Sequence, residues 1–389
     1  MITFCIPSKN NLRYLKTCIP SIQQNSYYKT NKILIYIDED IDGTEDWLKE
    51  NNISYIKNTD GVCKGIGNAY DILIKESTTD MVVVFHTDML LGYHADYYLL
   101  EAYKPKSVVC ATRIEPPLHP PGPEKIVKDF GIWPEDTKWE EFNSFVKEQI
   151  PLNEGKYTKA LFAPWLINRN DHLGHDDVFK SIYEDADIFR RFVLAGYEIV
   201  QVWSSLVYHL TCRSSKFEDV GNNTDFTTQG TEEWQRKNYA MALEYIRKWG
   251  GMFKEYGPCE PRPNLKYDIG LEIKNCTTTL LVYEPYATNL QVDCNTSAYV
   301  EQAQKQSSFN IPSKFVETLE NDIKITFDNS TGTVDDLHYV LTNIEDILEQ
   351  ADPESTYEFG TVTITTNTKQ VHNPNIFTNE SIFRNTELQ

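Results

Sequence analysis

An alternation of short apolar strands and helix-like segments over the first 110 residues constrains this chain more than any other feature of its sequence. Apolar runs that end in turns predict strands at 2–7, 32–37, 53–56, 81–85 and 108–112. Apolar residues at helical spacing predict helices between them, at 12–24, 44–50 and 65–76. The run Met81–Phe85 is apolar throughout, which is typical of a strand buried on both faces of a parallel sheet. The series therefore predicts an α/β domain whose mostly parallel sheet is flanked by helices.

The rest of the chain is less regular. Residues 113–165 are rich in Pro and Trp and lack periodicity, which indicates a long functional loop. Beyond it we predict a helix at 181–196, a strand at 198–208 and a helix at 231–250. In the last third we predict strands near 269–273, 279–283, 290–293, 323–327 and 360–365, and a helix near 334–350. The predicted domains are an α/β domain over 1–215, a helical extension and linker over 216–262, and a β-rich α+β accessory domain over 263–389.

The charge balance excludes several classes of partner. The 389 residues include 37 Lys and Arg against 57 Asp and Glu, a net charge of −20. A general nucleic-acid binder needs a basic face, and adhesion to anionic membranes needs basic patches, so we expect neither. An anionic ligand would need a local cation from Arg, Lys or a bound metal. Residues 263–389 hold 7 basic and 19 acidic residues, so the last third carries −12 of the net charge.

The location of the protein is predicted from what the sequence lacks. No apolar run approaches the roughly 18 residues of a membrane span, and the first residues do not have the pattern of a secretory signal. The eight Cys residues contain no CxxC pair, which favours reduced, structural thiols. We therefore predict a cytoplasmic protein with no transmembrane segment.

Acidic and His side chains follow several predicted strands directly. Asp38 and Asp40 follow the second strand, His86 and Asp88 follow the strand at 81–85, and His209 closes the strand at 198–208. In open α/β sheets, ligands bind at the carboxyl ends of the strands. An imidazole and a carboxylate at alternate positions suit Mn²⁺ or Mg²⁺. The alternative for each residue alone is structural, as a turn Asp or a core His.

A second acidic element opens the predicted helix near 184. Glu184 and Asp185 suit the positive end of the helix dipole, and Asp187 with Arg191 forms an i,i+4 pair. This structural interpretation accounts for acids at that position in general. It does not account for a helix that leads through Gly196 into a strand ending at His209.

Four segments in this order resemble the family 2 glycosyltransferases, which use nucleotide sugars and have the Rossmann-like GT-A fold. The segments are ITFCIPSKNN, ILIYIDEDIDGTEDWL, GIGNAYDILIKESTTDMVVVFHTDM and HLGHDDVFKSIYEDADIFRRFVLAGYEIVQVWSSLVYHL. The resemblance covers about residues 1–212.

The resemblance implies a nucleotide site in the first half of the domain. Pro7 and Ser8 would lie in the first loop against the nucleotide, and Asp38 and Asp40 would reach its base or ribose. Lys64, which precedes a Gly-x-Gly turn, is a candidate phosphate contact from its position alone.

The resemblance also implies a metal and a base. Asp88 is the last residue of a motif that resembles Asp-x-Asp, and it would bind Mn²⁺ or Mg²⁺ with the donor diphosphate. The first Asp of that motif is His86 here, and a neutral imidazole ligates metals without adding negative charge. His209 would complete the metal or diphosphate site. Asp185 would be the general base that deprotonates the acceptor.

An acceptor site is predicted less directly. Trp133, Trp139 and Trp165 lie in or next to the irregular segment and are candidates for stacking on sugar rings, with Glu184 near the acceptor. The alternative is that these aromatic residues belong to the core. The accessory domain shows no catalytic pattern, and we predict acceptor binding or self-association into a homo-oligomer for it.

The resulting prediction is an inverting glycosyltransferase for glycan biosynthesis. It would move a sugar from a nucleotide-diphosphate donor, preferably a UDP-sugar, to a hydroxyl of a glycan or another acceptor. Two alternatives stay open at this point, a non-catalytic sugar- or nucleotide-binding protein on the same fold and a nucleotidyltransferase. The sequence names neither the sugar nor the acceptor.

Overall fold

The computed structural model describes residues 1–180, 182–211 and 232–374. Cys212 and the domain boundary predicted at 215 lie outside the described residues. The chain forms two compact units. Among the described residues, the first comprises those of Met1–Arg236 with Glu255–Arg262, and the second comprises Lys237–Lys254 with residues 263–374.

The first unit is built on a ten-stranded sheet. Its strands are β1 (Ile2–Lys9), β2 (Lys32–Glu39), β3 (Ser54–Lys57), β4 (Met81–Val84), β5 (Met89–Leu91), β6 (Ser107–Glu115), β7 (Ile126–Val127), β8 (Tyr157–Thr158), β9 (Trp165–Asn168) and β10 (Glu198–His209). The order is β3-β2-β1-β4-β9-β6-β10-β5, with β7 beside β6 and β8 beside β10. The pairs β2–β3, β1–β2, β1–β4 and β6–β10 are parallel, so the predicted α/β fold is confirmed.

Six α-helices accompany this sheet: α1 (Leu12–Asn25), α2 (Thr44–Glu50), α3 (Ile66–Glu76), α4 (Ala95–Ala102), α5 (Trp139–Asn153) and α6 (Glu184–Leu194). The apolar residues that predicted α1 and α3 are the ones that pack into the core, such as Leu15 and Ile19 of α1 and Leu73 of α3. Pro20 lies inside α1 without ending it.

The segment 113–165 is more ordered than predicted. It contains α5, whose buried side chains include Phe142 and Val146, while most of its other positions face solvent. This weak periodicity, together with Pro151 inside the helix, concealed α5 in the sequence. Strand β9 also went unpredicted, and it lies antiparallel between β4 and β6.

The second unit has a five-stranded sheet with the order β14-β13-β15-β17-β16. It also holds most of α7 (Glu232–Trp249). Its strands and other helices are β13 (Ile269–Lys274), β14 (Asn289–Val292), α8 (Ser297–Gln306), β15 (Ile323–Asp328), α9 (Val334–Thr342), α10 (Ile344–Gln350), β16 (Ser355–Phe359) and β17 (Val362–Thr366). A short ribbon pairs β11 (Lys254–Glu255) with β12 (Pro261–Arg262). The predicted β-rich α+β character of this region is confirmed.

Two local predictions in the second unit are wrong. The strand predicted near 279–283 is a 3-10 helix, Thr278–Tyr286, because its buried residues Leu280, Leu281 and Tyr283 do not alternate. The helix predicted over 334–350 is two helices, separated at Asn343.

Within the described ranges, every helix falls short of the length and apolarity that a membrane span requires.

Candidate functional site

Five strands of the first sheet end at one edge. β1, β2 and β4 are parallel to one another, β6 is parallel to β10, and both β4 and β6 are antiparallel to β9 between them. All five therefore run in the same direction. Their carboxyl ends bring together residues that are far apart in sequence, at Ser8, Asp38, His86, Glu115 and His209.

The sharpest group at this edge consists of His86, Asp88 and His209, which we call the HDH cluster. One ligand atom from each residue lies within 4.8 Å of the others. The Asp88 and His209 side chains are almost fully buried, and His209 Nε2 lies 3.7 Å from Asp88 Oδ2. Asp88 Oδ1 is buried and has no hydrogen-bond partner among the residues that the structure describes.

This donor set fits a divalent cation. A buried carboxylate oxygen without a partner costs free energy unless a ligand meets it. Burial lowers the pKa of His86, against the opposing charges of Asp88 and Asp185, so its imidazole is neutral at pH 7. Neutral imidazoles and a carboxylate are suitable ligands for Mn²⁺, and a carboxylate also suits Mg²⁺.

Glu115 lies behind His209 and was not predicted. It accepts a hydrogen bond of 2.8 Å from His209 Nδ1, and Lys125 Nζ lies 2.9 Å from its other oxygen. Burial opposes ionisation of Glu115, but His209, Arg113 and Lys125 hold the pKa of its carboxyl well below the ordinary value. A carboxylate on Nδ1 leaves Nε2 as the ligating atom of His209. Glu115 is the last residue of β6, so a correct strand end would have revealed it.

Glu184 and Asp185 form the first turn of α6. Burial, reinforced by the charge of Asp185, raises the pKa of Glu184 to about 8. Glu184 therefore holds a proton at pH 7. The charge of Asp185 opposes the lowering of the His86 pKa and adds to the raised pKa of the buried Tyr70.

Arg191 forms a buried ion pair within α6 and also attaches this helix to the preceding loop. Arg191 Nε donates to Asp187 Oδ2 at 2.7 Å, and neither side chain is exposed, as the i,i+4 spacing predicted. Arg191 also donates to the carbonyl of Gly174 at 2.7 Å. These contacts fix the helix that carries Asp185.

A second His and Asp cluster, also missed in the sequence, lies between α3 and the same loop. Asp71 Oδ1 lies 2.7 Å from both His172 Nε2 and His175 Nδ1, and Asp71 Oδ2 accepts from the His175 amide at 2.8 Å. Burial opposes ionisation of Asp71, yet the two imidazoles lower the pKa of its carboxyl. The three residues could also hold a metal, but their mutual hydrogen bonds already account for their placement.

The residues predicted to hold the nucleotide have local partners. The Asp38 carboxylate accepts from the amides of Lys64 and Gly65, and the Asp40 carboxylate caps α2 by accepting from the amides of Gly43, Thr44 and Glu45. Lys64 pairs with Asp60. Pro7 and Ser8 lie near the end of β1, where Ser8 Oγ is buried without a partner. Their nucleotide roles stay predictions.

The three tryptophans differ in what they present to solvent. The prediction that Trp165 stacks on a sugar is wrong, because this residue is fully buried in β9 and packs on Phe189 and Phe192. Trp133 is half-buried beneath the guanidinium of Arg13, 4.8 Å from the ring centre. Trp139 begins α5 and donates to Gln24.

Residues 3–147 match the protein family described as glycosyl transferase family 2. The match covers 145 of the 389 residues and agrees with the resemblance that the motifs of this segment predicted. The match ends before α6 and β10, so the assignment of Asp185 and His209 depends on the residues themselves.

Solved structures similar to part of this chain include two proteins in complex with UDP. Residues 1–349 of S. aureus TarS in complex with UDP are 14% identical, with a TM-score of 0.36 over 53% of this chain and 59% of TarS 1–349. GalNAc-T7 with UDP, GalNAc and Mn²⁺ is 14% identical, with a TM-score of 0.41 over 54% of this chain and 43% of that one. The chain thus spans less than two thirds of either protein. No curated protein matches the sequence.

Proposed function

We propose that the first unit transfers a sugar from a nucleotide-diphosphate donor, a UDP-sugar, to a hydroxyl of a glycan acceptor. The observation that carries this proposal is the HDH cluster at the carboxyl edge of a sheet whose first strands match the glycosyl transferase family 2 model. Ligands of open α/β sheets bind at this edge. Such a transfer requires residues that can bind a metal ion and a carboxylate that can accept a proton.

Asp185 is the proposed general base. The acceptor hydroxyl must lose a proton as it attacks C1 of the sugar, and a nearby carboxylate is a suitable proton acceptor. Glu184 keeps its own proton at pH 7, which preserves a single charged base in the pair. One base on the face opposite the diphosphate gives inversion at C1.

His86, Asp88 and His209 are the proposed ligands of Mn²⁺ or Mg²⁺. A cation bound there supplies positive charge next to the leaving diphosphate. Glu115 orients His209 for this role, and Pro7, Ser8, Asp38, Asp40 and Lys64 are the proposed nucleotide-side residues. The positive charge of this cation would allow a chain of net charge −20 to bind a diphosphate.

The first experiment is a panel of nucleotide sugars with Mn²⁺, read by thermal shift and by release of nucleoside diphosphate. Asp185→Asn should abolish release with the preferred donor and leave its binding intact. Asp46→Asn is the matched control, because Asp46 is an exposed acid in the first turn of α2, and it should retain full activity. Full activity of Asp185→Asn would overturn the base assignment.

The second experiment tests the metal. EDTA should stop release, and Mn²⁺ should restore it. Asp88→Ala should lose the Mn²⁺-dependent thermal shift while its circular dichroism spectrum stays unchanged. An EDTA-insensitive rate and nucleotide affinity would contradict the metal site.

One observation favours a second candidate, a non-catalytic sugar- or nucleotide-binding protein. His86 stands where the resembling motif has its first Asp, which removes one negative charge from the proposed metal site. Binding of a nucleotide sugar with no release, equally strong in Asp185→Asn, would support this candidate. For the second unit we propose acceptor binding or self-association.

A further inference from the structure

Two thiols of the second unit lie unusually close together. Cys276 follows β13 and Cys294 follows β14, and these strands are parallel neighbours with Ile273 opposite Val292. Each thiol therefore stands two residues beyond the end of its strand. The Cys294 Sγ lies 2.8 Å from Cys276 Sγ, roughly 0.8 Å more than a disulfide bond.

The backbone on both sides of this pair is held in place. Asp293 accepts hydrogen bonds from the amides of Asn275 and Cys276, at 2.8 and 2.7 Å. The Asn275 side chain in turn donates to Asp328, the last residue of β15, at 2.8 Å. The sulfur atoms thus meet because three strand ends are tied together. Both Cys side chains are partly exposed, so a small oxidant can reach them.

We propose that Cys276 and Cys294 form a reversible disulfide, which makes this strand edge a redox modification site. The oxidant is a small-molecule disulfide. The thiolate of Cys294 attacks it, forms a mixed disulfide and releases one thiol. The Cys276 sulfur then attacks the Cys294 sulfur, closes the internal disulfide and releases the second thiol, so that two protein thiols and one disulfide give one protein disulfide and two thiols.

The order of attack follows from the environment of Cys276. Burial, and then the contact with Cys294, raises the pKa of Cys276 to about 12. Cys276 is therefore the poorer nucleophile at neutral pH. The Cys276 Sγ also contacts the carbonyl oxygen of Thr277 at 3.3 Å, and this contact restricts the orientation of the thiol.

The bond would close a loop that carries a buried carboxylate of the second unit. Between the two Cys residues lies Glu284, which is fully buried and accepts from Arg247 at 2.5 Å and from Tyr299 at 2.9 Å. Closing this loop restricts the unfolded chain and keeps Glu284 near its partners. We therefore expect the oxidised protein to be the more stable form.

The test uses the full chain, first reduced and then treated with oxidised glutathione. Remaining thiols are blocked with N-ethylmaleimide in denaturant, and the protein is digested without reductant for mass spectrometry. We expect one linked peptide pair, Cys276 with Cys294, and a melting temperature several degrees above that of the reduced protein. The exposed Cys63 should carry glutathione or N-ethylmaleimide only.

The variants C294S and C276S are two independent controls. Each should abolish the linked peptide and the difference in melting temperature between the oxidised and reduced samples. C63S should leave both unchanged. Recovery of Cys276 and Cys294 as separately blocked residues in the oxidised wild type would overturn the proposal.

Discussion

His209 is held between two carboxylates that have different tasks. Glu115 bonds its Nδ1 at 2.8 Å, while Asp88 lies 3.7 Å from its Nε2. The first contact fixes the tautomer and the ring orientation, and the second places Nε2 where the HDH cluster needs a ligand. Glu115 is thus a positioning residue whose effect should appear in metal affinity.

Glu115→Gln should weaken Mn²⁺ binding by roughly 10- to 100-fold, because an amide accepts from Nδ1 without the negative charge of the carboxylate. Isothermal titration calorimetry measures this directly. Glu140→Gln, at an exposed position in the first turn of α5, is the matched control and should bind Mn²⁺ as the wild type does. Equal affinities in both variants would show that Glu115 does not orient a metal ligand.

Glu184 makes stability depend on pH in a defined direction. Its pKa of about 8 in the folded protein exceeds the ordinary glutamate pKa of 4.5, so the folded state binds more protons than the unfolded state between these values. Stability is therefore lost as pH rises from about 4.5 through 8. Glu184→Gln removes this loss.

We expect the melting temperature of Glu184→Gln minus that of wild type to increase by at least about 2 °C from pH 5 to pH 9. Differential scanning fluorimetry across this range provides the measurement. Glu140→Gln serves again as the control, and its curve should follow the wild type. A constant offset between Glu184→Gln and wild type would disprove the raised pKa.

At the scale of elements, α6 is positioned by the loop in front of it. Asp71 of α3 binds His172 and His175 in that loop, and Arg191 of α6 binds the Gly174 carbonyl. The turn before α3 completes the attachment at Gly65, which has φ of +80° and passes so close to Lys180 that a Cβ would lie 2.2 Å from its carbonyl oxygen. The turn thus serves packing against the loop that leads to Asp185.

Gly65→Ala should cost about 2 kcal/mol or more of unfolding free energy, from the left-handed backbone and from the collision with Lys180. Urea denaturation measures the cost. Gly43→Ala is the matched control, because Gly43 has φ of +82° and open space around it. Gly43→Ala should show the backbone strain alone, about 1 kcal/mol. Equal losses in the two variants would contradict the close packing.

For the whole molecule, the sequence predicts best what local periodicity controls. Six elements have ends within two residues of the predicted ones: α1, α2, α3, β1, β2 and β4. Their apolar residues follow the helix or strand period because they pack into the core of one sheet and its helices. The partners of single polar groups were not predictable in this way. Glu115 behind His209 and Asp71 between two imidazoles depend on contacts between segments that are far apart in sequence. Asp40 caps α2 through the local conformation of the loop before that helix.

The same reason accounts for Trp165. A tryptophan in a Pro-rich stretch resembles an exposed stacking platform, and only the pairing of β9 with both β4 and β6 buries it. His86 and Asp88 follow a strand whose end was predicted to within one residue. Glu115 was missed because β6 runs to residue 115, three residues beyond its predicted end.

The position of β9 also determines the order in which the protein can be completed during its synthesis. β1 to β4 can pair once about the first 84 residues have left the ribosome, but β4 then presents an open edge that contains Val82 and Val83. In the described part of the chain, residues 165–168 cover that edge. Strand β6 pairs with β9 and β10, so its pairing is complete only after β10, which ends at His209, has been synthesised. The family-matched residues 3–147 are therefore not a complete folding unit. If synthesis pauses between residues 84 and 165, the unpaired apolar edge of β4 stays exposed and can pair with other nascent chains.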